Sequence, residues 1–171
     1  MDVGCGSGVL VAYMARFMDA SFTKVGDKGG SVGTVVGIDR VPELVRLSID
    51  NLIDDGLVPN ESSIELGERP SRAHLIIREG DGWNGAADLG PFDAIHVGAA
   101  PPFLPEALLR QLKPGGRMII PVGPPRGTWQ EWRCIDRSIK SAASDETTSE
   151  ISSSIISAVR FVPLKGGIGP N

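Results

Sequence analysis

Glycine and acid residues carry the first chemical signal in this 171-residue chain. Asp2-Val3 runs directly into Gly4-Cys5-Gly6-Ser7-Gly8. Glycines at such a place allow a tight turn and let backbone N–H groups approach a ligand at the start of a helix. Taken alone, the same residues make an ordinary strand-to-helix turn. Dinucleotide-binding loops follow G-x-G-x-x-G, whereas here Gly8 comes one residue early and Val9 fills the expected place. Asp2 beside the loop is an awkward charge for a pyrophosphate. It suits a cationic ligand instead, such as the ammonium or sulfonium of S-adenosylmethionine.

Three more clusters have the right residue types. Asp39 follows the apolar run Thr34-Val35-Val36-Gly37-Ile38, and a carboxylate there can accept both hydroxyls of a ribose. A helix N-cap is the competing role, disfavoured because Pro42 puts the helix start later. Gly80-Asp81-Gly82 offers an acid and flanking backbone to an adenine edge, with a plain Asp-Gly turn as the equal alternative. Gly98-Ala99-Ala100-Pro101-Pro102 has alanine where methyltransferases acting on base amino groups place Asn or Asp before Pro-Pro. That leaves a small wall and no base. No Ser-His-Asp set, metal-ligand spacing or phosphate-cradling lysine appears, and His74 and His96, inside apolar runs, are expected to be buried core residues.

The elements that must position these clusters are short. Val9, Leu10, Tyr13, Met14, Phe17 and Met18 recur at helical spacing and predict a helix with one buried face. Thr34–Asp39 reads as a strand covered on both faces. A helix follows with Pro42 at its first position, the stripe Val41, Leu44, Val45, Ile49, Leu52 and Ile53, and Gly56 as its stop. Ala73–Glu79 and Phe92–Val97 read as strands, Pro105–Leu112 as a helix stopped by Lys113-Pro114-Gly115-Gly116, and Met118–Val122 as a strand. Trp129–Ile139 and Ile155–Leu164 read as a final antiparallel pair. The Ser/Thr/Asp/Glu-rich stretch 141–154 between them reads as an exposed loop insertion. This order is α/β: a doubly wound, mostly parallel sheet with a C-terminal antiparallel strand pair, in one domain spanning residues 1–171. Ligands of such sheets sit beyond the carboxyl ends of the strands, where all four clusters fall.

Composition narrows the function. A net charge of −4 argues against nucleic acid as a partner. No run approaches the ~18 apolar residues of a membrane span, so no membrane partner is expected. Cys5 and Cys134 are the two cysteines, too few for a disulfide framework, and a cytoplasmic location is expected. The 22 glycines and 13 prolines suit many short elements and tight turns.

Asp-Val-Gly-Cys-Gly-Ser-Gly, Val-Val-Gly-Ile-Asp-Arg, Gly-Asp-Gly, Phe-Asp-Ala-Ile-His-Val-Gly-Ala-Ala, Leu-Lys-Pro-Gly-Gly-Arg and Pro-Val-Gly-Pro occur here in one order. With Phe161-Val162-Pro163-Leu164 closing the series, the chain resembles the protein-L-isoaspartate O-methyltransferases from residue 2 to about residue 165. Extra segments interrupt the likeness at Ser21–Gly33, Pro59–Arg72 and Ser141–Ser154. The resemblance implies a Rossmann-like, S-adenosylmethionine-dependent transferase acting in protein repair. It methylates the carboxylate of isoaspartyl residues in damaged peptides and proteins, and the ester then collapses to a succinimide. S-adenosylhomocysteine is the product, and a monomer is expected. By resemblance, Asp2, Gly4, Cys5, Gly6 and Gly8 hold the methionyl end, Asp39 the ribose, and Asp81 and Gly82 the adenine. Gly98, Ala99, Ala100, Leu164 and Lys165 fall on the substrate side. No catalytic residue is expected within the chain, because a carboxylate with a pKa near 4 is already an anion at pH 7.

The chain departs from the family at its start. The family carries a helical segment with a Ser/Thr motif that would lie upstream of Met1, so a truncated chain is expected, with cofactor binding retained and methyl transfer weak. Three rival readings remain open: another S-adenosylmethionine enzyme acting on a small molecule, an inactive cofactor-binding remnant, and a nicotinamide-dependent oxidoreductase.

Overall fold

The computed structural model describes residues 1–21, 33–59, 73–124, 129–141 and 147–166. The expected insertions at Ser21–Gly33 and Pro59–Arg72 lie, but for their ends, outside the described residues. The chain groups into two compact units, Met1–Gly80 and Asp81–Asn171.

The first unit holds β1 (Asp2–Val3), α1 (Val9–Ser21), β2 (Thr34–Asp39), α2 (Pro42–Asp54) and β3 (His74–Glu79). β2 pairs in parallel with β1, through Asp2↔Gly37 and Val3↔Ile38, and with β3 from Thr34↔His74 to Asp39↔Glu79. Parallel neighbours require crossovers, and α1 and α2 fall within them. Every residue of β2 after Thr34 is buried, which is why its sequence is an unbroken apolar run up to the acid. Pro42 opens α2. At its far end Gly56, at φ +75°, lets the Gly56 N–H reach Ile53 O at 2.9 Å and the Leu57 N–H reach Leu52 O at 2.8 Å. That is a Schellman stop.

The second unit holds β4 (Phe92–Val97), α3 (Glu106–Gln111), β5 (Leu112–Val122), β6 (Gln130–Ser141) and β7 (Thr147–Val159). β4 and β5 are parallel, whereas β5–β6 and β6–β7 are antiparallel. Its core is aliphatic, with Ile95, Leu108, Leu112, Met118, Ile120 and Ile135 all fully or almost fully buried. The mostly parallel α/β class with a C-terminal antiparallel pair is therefore as expected.

Several details differ from the sequence reading. In α1 the expected stripe is not the buried face: Val9, Tyr13 and Phe17 are 58%, 68% and 74% exposed, while Val11 and Ala15 are fully buried. The six apolar residues span about 180° of helix at roughly 100° each. The sheet takes the edge carrying Met14 and Met18, together with the short side chains Val11, Ala12 and Ala15. Small residues there let the helix sit close. In α2 the most buried residues are Ser48 and Leu52, with Val41 outside the helix as its N-cap.

The Lys113–Gly116 stop proves to be the start of β5. Phe92 pairs with Leu112 and Ala94 with Arg117, so the glycine pair forms a bulge rather than a loop. Nor is 141–154 mainly loop. β6 runs to Ser141 and β7 begins at Thr147, paired from Ser141↔Thr147 onward. Exposure, not irregularity, explains the polarity of that stretch, since Thr and Ile favour strands and Ser149–Ser154 face solvent. Residues 142–146 lie outside the described residues. β7 also ends at Val159, which places Leu164 beyond it. The histidines do lie in strands, but His74 is exposed and His96 only half-buried. His74 is the first residue of β3, where the strand emerges from the core.

Candidate functional site

In the first unit the glycine loop is held from three sides. The Gly4 and Cys5 N–H groups both donate to Ile38 O, at 2.8 and 3.0 Å, which fastens the loop to the end of β2. Gly4, Gly6 and Gly8 take φ values of +78°, +54° and +81°, a region where a β-carbon is strained. From below, Asn51 Nδ2 donates to Ser7 O at 2.9 Å. A β-carbon on Gly6 would meet nothing within 4 Å, so the loop faces open space on that side.

Asp39 is 7% exposed. Its Oδ2 accepts the Gly6 N–H at 3.0 Å and its Oδ1 the Val41 N–H at 3.0 Å. The acid at the end of β2 therefore clamps the glycine loop, a role sequence reasoning missed. An ionised carboxylate offers about four lone-pair positions, so two backbone donors leave capacity for a ligand's hydroxyls. Asp2 is 2% exposed. The Cys5 side chain lies in the apolar cluster with Val11, Leu75 and Ile77. Burial, reinforced by the charge of Asp2, pushes its thiol up to about 12. Cys5 is thus a neutral packing residue, and a ligand is left with its backbone.

Two α2 residues three apart, Ser48 and Asn51, lie under the loop. A β-carbon on Gly8 would come within 2.5 Å of Ser48 Oγ, and that hydroxyl is buried with no hydrogen-bond partner among the described residues beyond the weak contact of the Cys5 thiol. Their i, i+3 spacing marks one helix face, but nothing in the sequence alone ties that face to the glycines.

In the second unit, Asp81 Oδ1 accepts the Trp83 N–H at 3.0 Å, and Asp81 O accepts the Asn84 N–H at 2.9 Å. The Asp-Gly turn is therefore real, and its carboxylate takes part. Gly82 is buried. Among the residues expected on the substrate side, the Ala100 N–H donates to Val162 O at 2.7 Å and the Leu164 N–H to Ala100 O at 2.9 Å. These bonds form an isolated parallel bridge centred on Ala100 and Pro163. Ala100 is fully buried beneath it and Ala99 is 7% exposed; Gly98 and Leu164 are half-buried and Lys165 is exposed. The structure thus brings Ala100 and Leu164 together across more than sixty residues of sequence. Gln130, buried in β6, secures the same segment by accepting the Phe161 N–H at 2.9 Å. Neither Gln130 nor Trp83 was singled out from the sequence.

The family model for protein-L-isoaspartate(D-aspartate) O-methyltransferase matches residues 1–169. Protein-L-isoaspartate O-methyltransferase 1 of Arabidopsis thaliana is 37% identical over 166 residues, covering 96% of this chain and 58% of the relative. The enzyme of Myxococcus xanthus is 37% identical over 169 residues, covering 97% of this chain and 76% of the relative. Among solved structures, one assigned as a protein-L-isoaspartate O-methyltransferase of Plasmodium falciparum, in complex with S-adenosyl-L-homocysteine, superposes with a TM-score of 0.67 at 29% identity. That match covers 96% of this chain and 64% of the other. The chain thus spans somewhat over half the length of several relatives it matches, such as the 59% of the Caenorhabditis elegans enzyme. It belongs to the protein-L-isoaspartate(D-aspartate) O-methyltransferase family.

Proposed function

We propose that this chain binds S-adenosylmethionine and serves in the methylation of isoaspartyl carboxylates in peptides and proteins. Family membership across residues 1–169 carries the reading. The loop geometry fits the cofactor: three glycines with no side chains to obstruct it, open space over Gly6, and an ionisable acid at the end of β2 with acceptor capacity to spare. Gly4–Gly8 with Asp2 would receive the methionyl part and Asp39 the ribose hydroxyls. In the second unit, Asp81 and Gly82 would take the adenine. Gly98 and Ala99 with Leu164 and Lys165 would face the isoaspartyl residue, while Ala100, fully buried, would support them from behind through its bridge to Pro163.

S-adenosylmethionine supplies an electrophilic methyl group on a sulfonium. The nucleophile, a carboxylate with a pKa near 4, needs no deprotonation at neutral pH. What remains for the chain is alignment and exclusion of water, a proximity effect worth up to roughly 7–11 kcal/mol. Ala99 suits that task, since its side chain adds no competing acceptor beside an anionic substrate. The reading includes a peptide rather than a nucleic-acid substrate, supported by the net charge of −4, and a cytoplasmic location, supported by the two cysteines; a monomer is proposed with it.

Calorimetric titration of the full chain with S-adenosylhomocysteine and with NAD tests the cofactor, and a tritiated-methyl assay on an isoaspartyl peptide beside its normal aspartyl twin tests the substrate. Binding of S-adenosylhomocysteine and not NAD is expected, weakened by roughly 1.5–3 kcal/mol in Asp39→Ala through loss of a charged acceptor. Methyl transfer should favour the isoaspartyl peptide. Binding of NAD alone, or equal transfer to both peptides, would overturn the proposal.

A further inference from the structure

Trp83 lies where three segments of the second unit meet. Its backbone N–H donates to Asp81 Oδ1 at 3.0 Å. Its indole Nε1–H donates to Leu164 O at 3.2 Å. Its ring packs against Phe103 at 5.3 Å between centroids and 57° between planes, just past the Ala99-Ala100 wall. Trp83 itself is 9% exposed. Leu164 therefore has both backbone groups fixed, its carbonyl by Trp83 and its N–H by Ala100 O.

The fit around this junction is close. Gly166, at φ +114°, passes so near Asp81 that a β-carbon would stand 2.3 to 2.6 Å from the three carboxylate atoms. The segment after β7 thus lies directly on the Asp81 turn, with the indole N–H as a side-chain tie between them. Burial alone would be satisfied at position 83 by Phe or Leu. The N–H is what an indole adds to that packing, and it is directed at the carbonyl of the residue proposed to face substrate.

We propose that Trp83 is a positioning residue for the substrate side: it holds the 161–166 segment, and with it the Ala100 bridge, on the Asp81 turn, so that it governs affinity for the isoaspartyl peptide while leaving cofactor affinity unchanged. The peptide part rests on the function proposed above. A buried indole N–H usually finds some partner, so a purely structural tryptophan is the alternative to be excluded.

The test compares the parent chain with Trp83→Phe, which keeps the ring and removes the donor, and with Trp83→Leu, which removes both. Three quantities are read: hydrogen exchange of the Leu164 and Ala100 amides, affinity for S-adenosylhomocysteine, and affinity and KM for a fluorescein-labelled isoaspartyl peptide. In Trp83→Phe the two amides should exchange at least tenfold faster, with β4 and β5 amides unchanged. Cofactor affinity should stay within twofold, because the Asp81 turn uses the backbone N–H. Peptide KM should rise at least fivefold with kcat within twofold. Trp83→Leu should show the same pattern, enlarged. Unchanged amide exchange in Trp83→Phe overturns the proposal, as does an equal loss of cofactor affinity and kcat. A parent chain that binds no isoaspartyl peptide would refute the functional reading instead, and the exchange ratio would still decide whether Trp83 holds the segment.

Discussion

Replacing Gly8 by alanine isolates what the glycine loop requires of its sequence. Gly8 sits at φ +81°, and its added β-carbon would stand 2.5 Å from Ser48 Oγ, 3.2 Å from Ser48 O and 3.3 Å from Ser48 Cα. The left-handed backbone costs an L-residue roughly 1–2 kcal/mol. Forcing a methyl against a buried helix residue costs roughly 1–3 kcal/mol more. Gly8→Ala should therefore lose about 2–5 kcal/mol of stability. Ser48→Ala alone should be close to neutral, because among the described residues the buried hydroxyl it removes has only the weakly bonding Cys5 thiol beside it. The double variant separates the two costs. Without Oγ the nearest obstruction disappears, so about 1–2 kcal/mol of the Gly8→Ala loss should be recovered, leaving chiefly the backbone cost. Urea unfolding followed by circular dichroism gives all three values through their midpoints. Additivity within about 0.5 kcal/mol would refute the contact with Oγ. A Gly8→Ala loss under about 1 kcal/mol would refute the backbone argument as well.

Two further outcomes follow from buried groups. The Cys5 thiol is raised from 9.0 to about 12 chiefly by burial. Because the folded state keeps a proton that the unfolded chain releases, stability is intact below pH 9 and falls as pH rises toward the folded value, by about 1.4 kcal/mol per unit. The parent should lose stability between about pH 9 and about pH 11 more steeply than Cys5→Ala, and parallel profiles in urea unfolding would sink the idea. Trp132 Nε1 is buried with no partner among the described residues, so Trp132→Phe removes an unsatisfied donor along with some packing. It should change stability by less than about 1 kcal/mol in thermal or urea melts, and a larger loss would mean that the indole N–H is bonded after all.

Much of the fold was legible because burial on both faces writes an unmistakable pattern. Val35-Val36-Gly37-Ile38 has no polar residue until Asp39, since β2 pairs on both sides and is covered on both faces. Pro42 and Gly56 mark the two ends of α2 through backbone geometry that belongs to those residues alone. Pattern reading failed where apolar character and burial part company. Val9, Tyr13 and Phe17 are apolar yet exposed, while Ser48 is polar yet fully buried. The run Thr147–Ser154 is polar and still strand, because exposed cross-strand pairs need no apolar side chains.

The candidate site shows the same division more sharply. The residues proposed to meet a ligand were indicated because an open α/β sheet gathers them at its strand ends; Asp39 closes β2 and Asp81 lies two residues past β3. The residues that hold them were not. Asn51 reaches Ser7 across 44 positions and Trp83 reaches Leu164 across 81, distances over which sequence patterns carry no information about contact. Asp39 belongs to both groups. Its position announces a ligand-facing acid, while its bonds to Gly6 and Val41 spend part of that acid on shaping the loop. Fixing the carboxylate this way lowers the entropy lost when it accepts a hydroxyl. The clamp and the proposed recognition are therefore one device, and a substitution at Asp39 must disturb the loop as well as the ligand. Asp39→Asn does not part them either, since its amide nitrogen would turn a donor toward the Gly6 or the Val41 N–H.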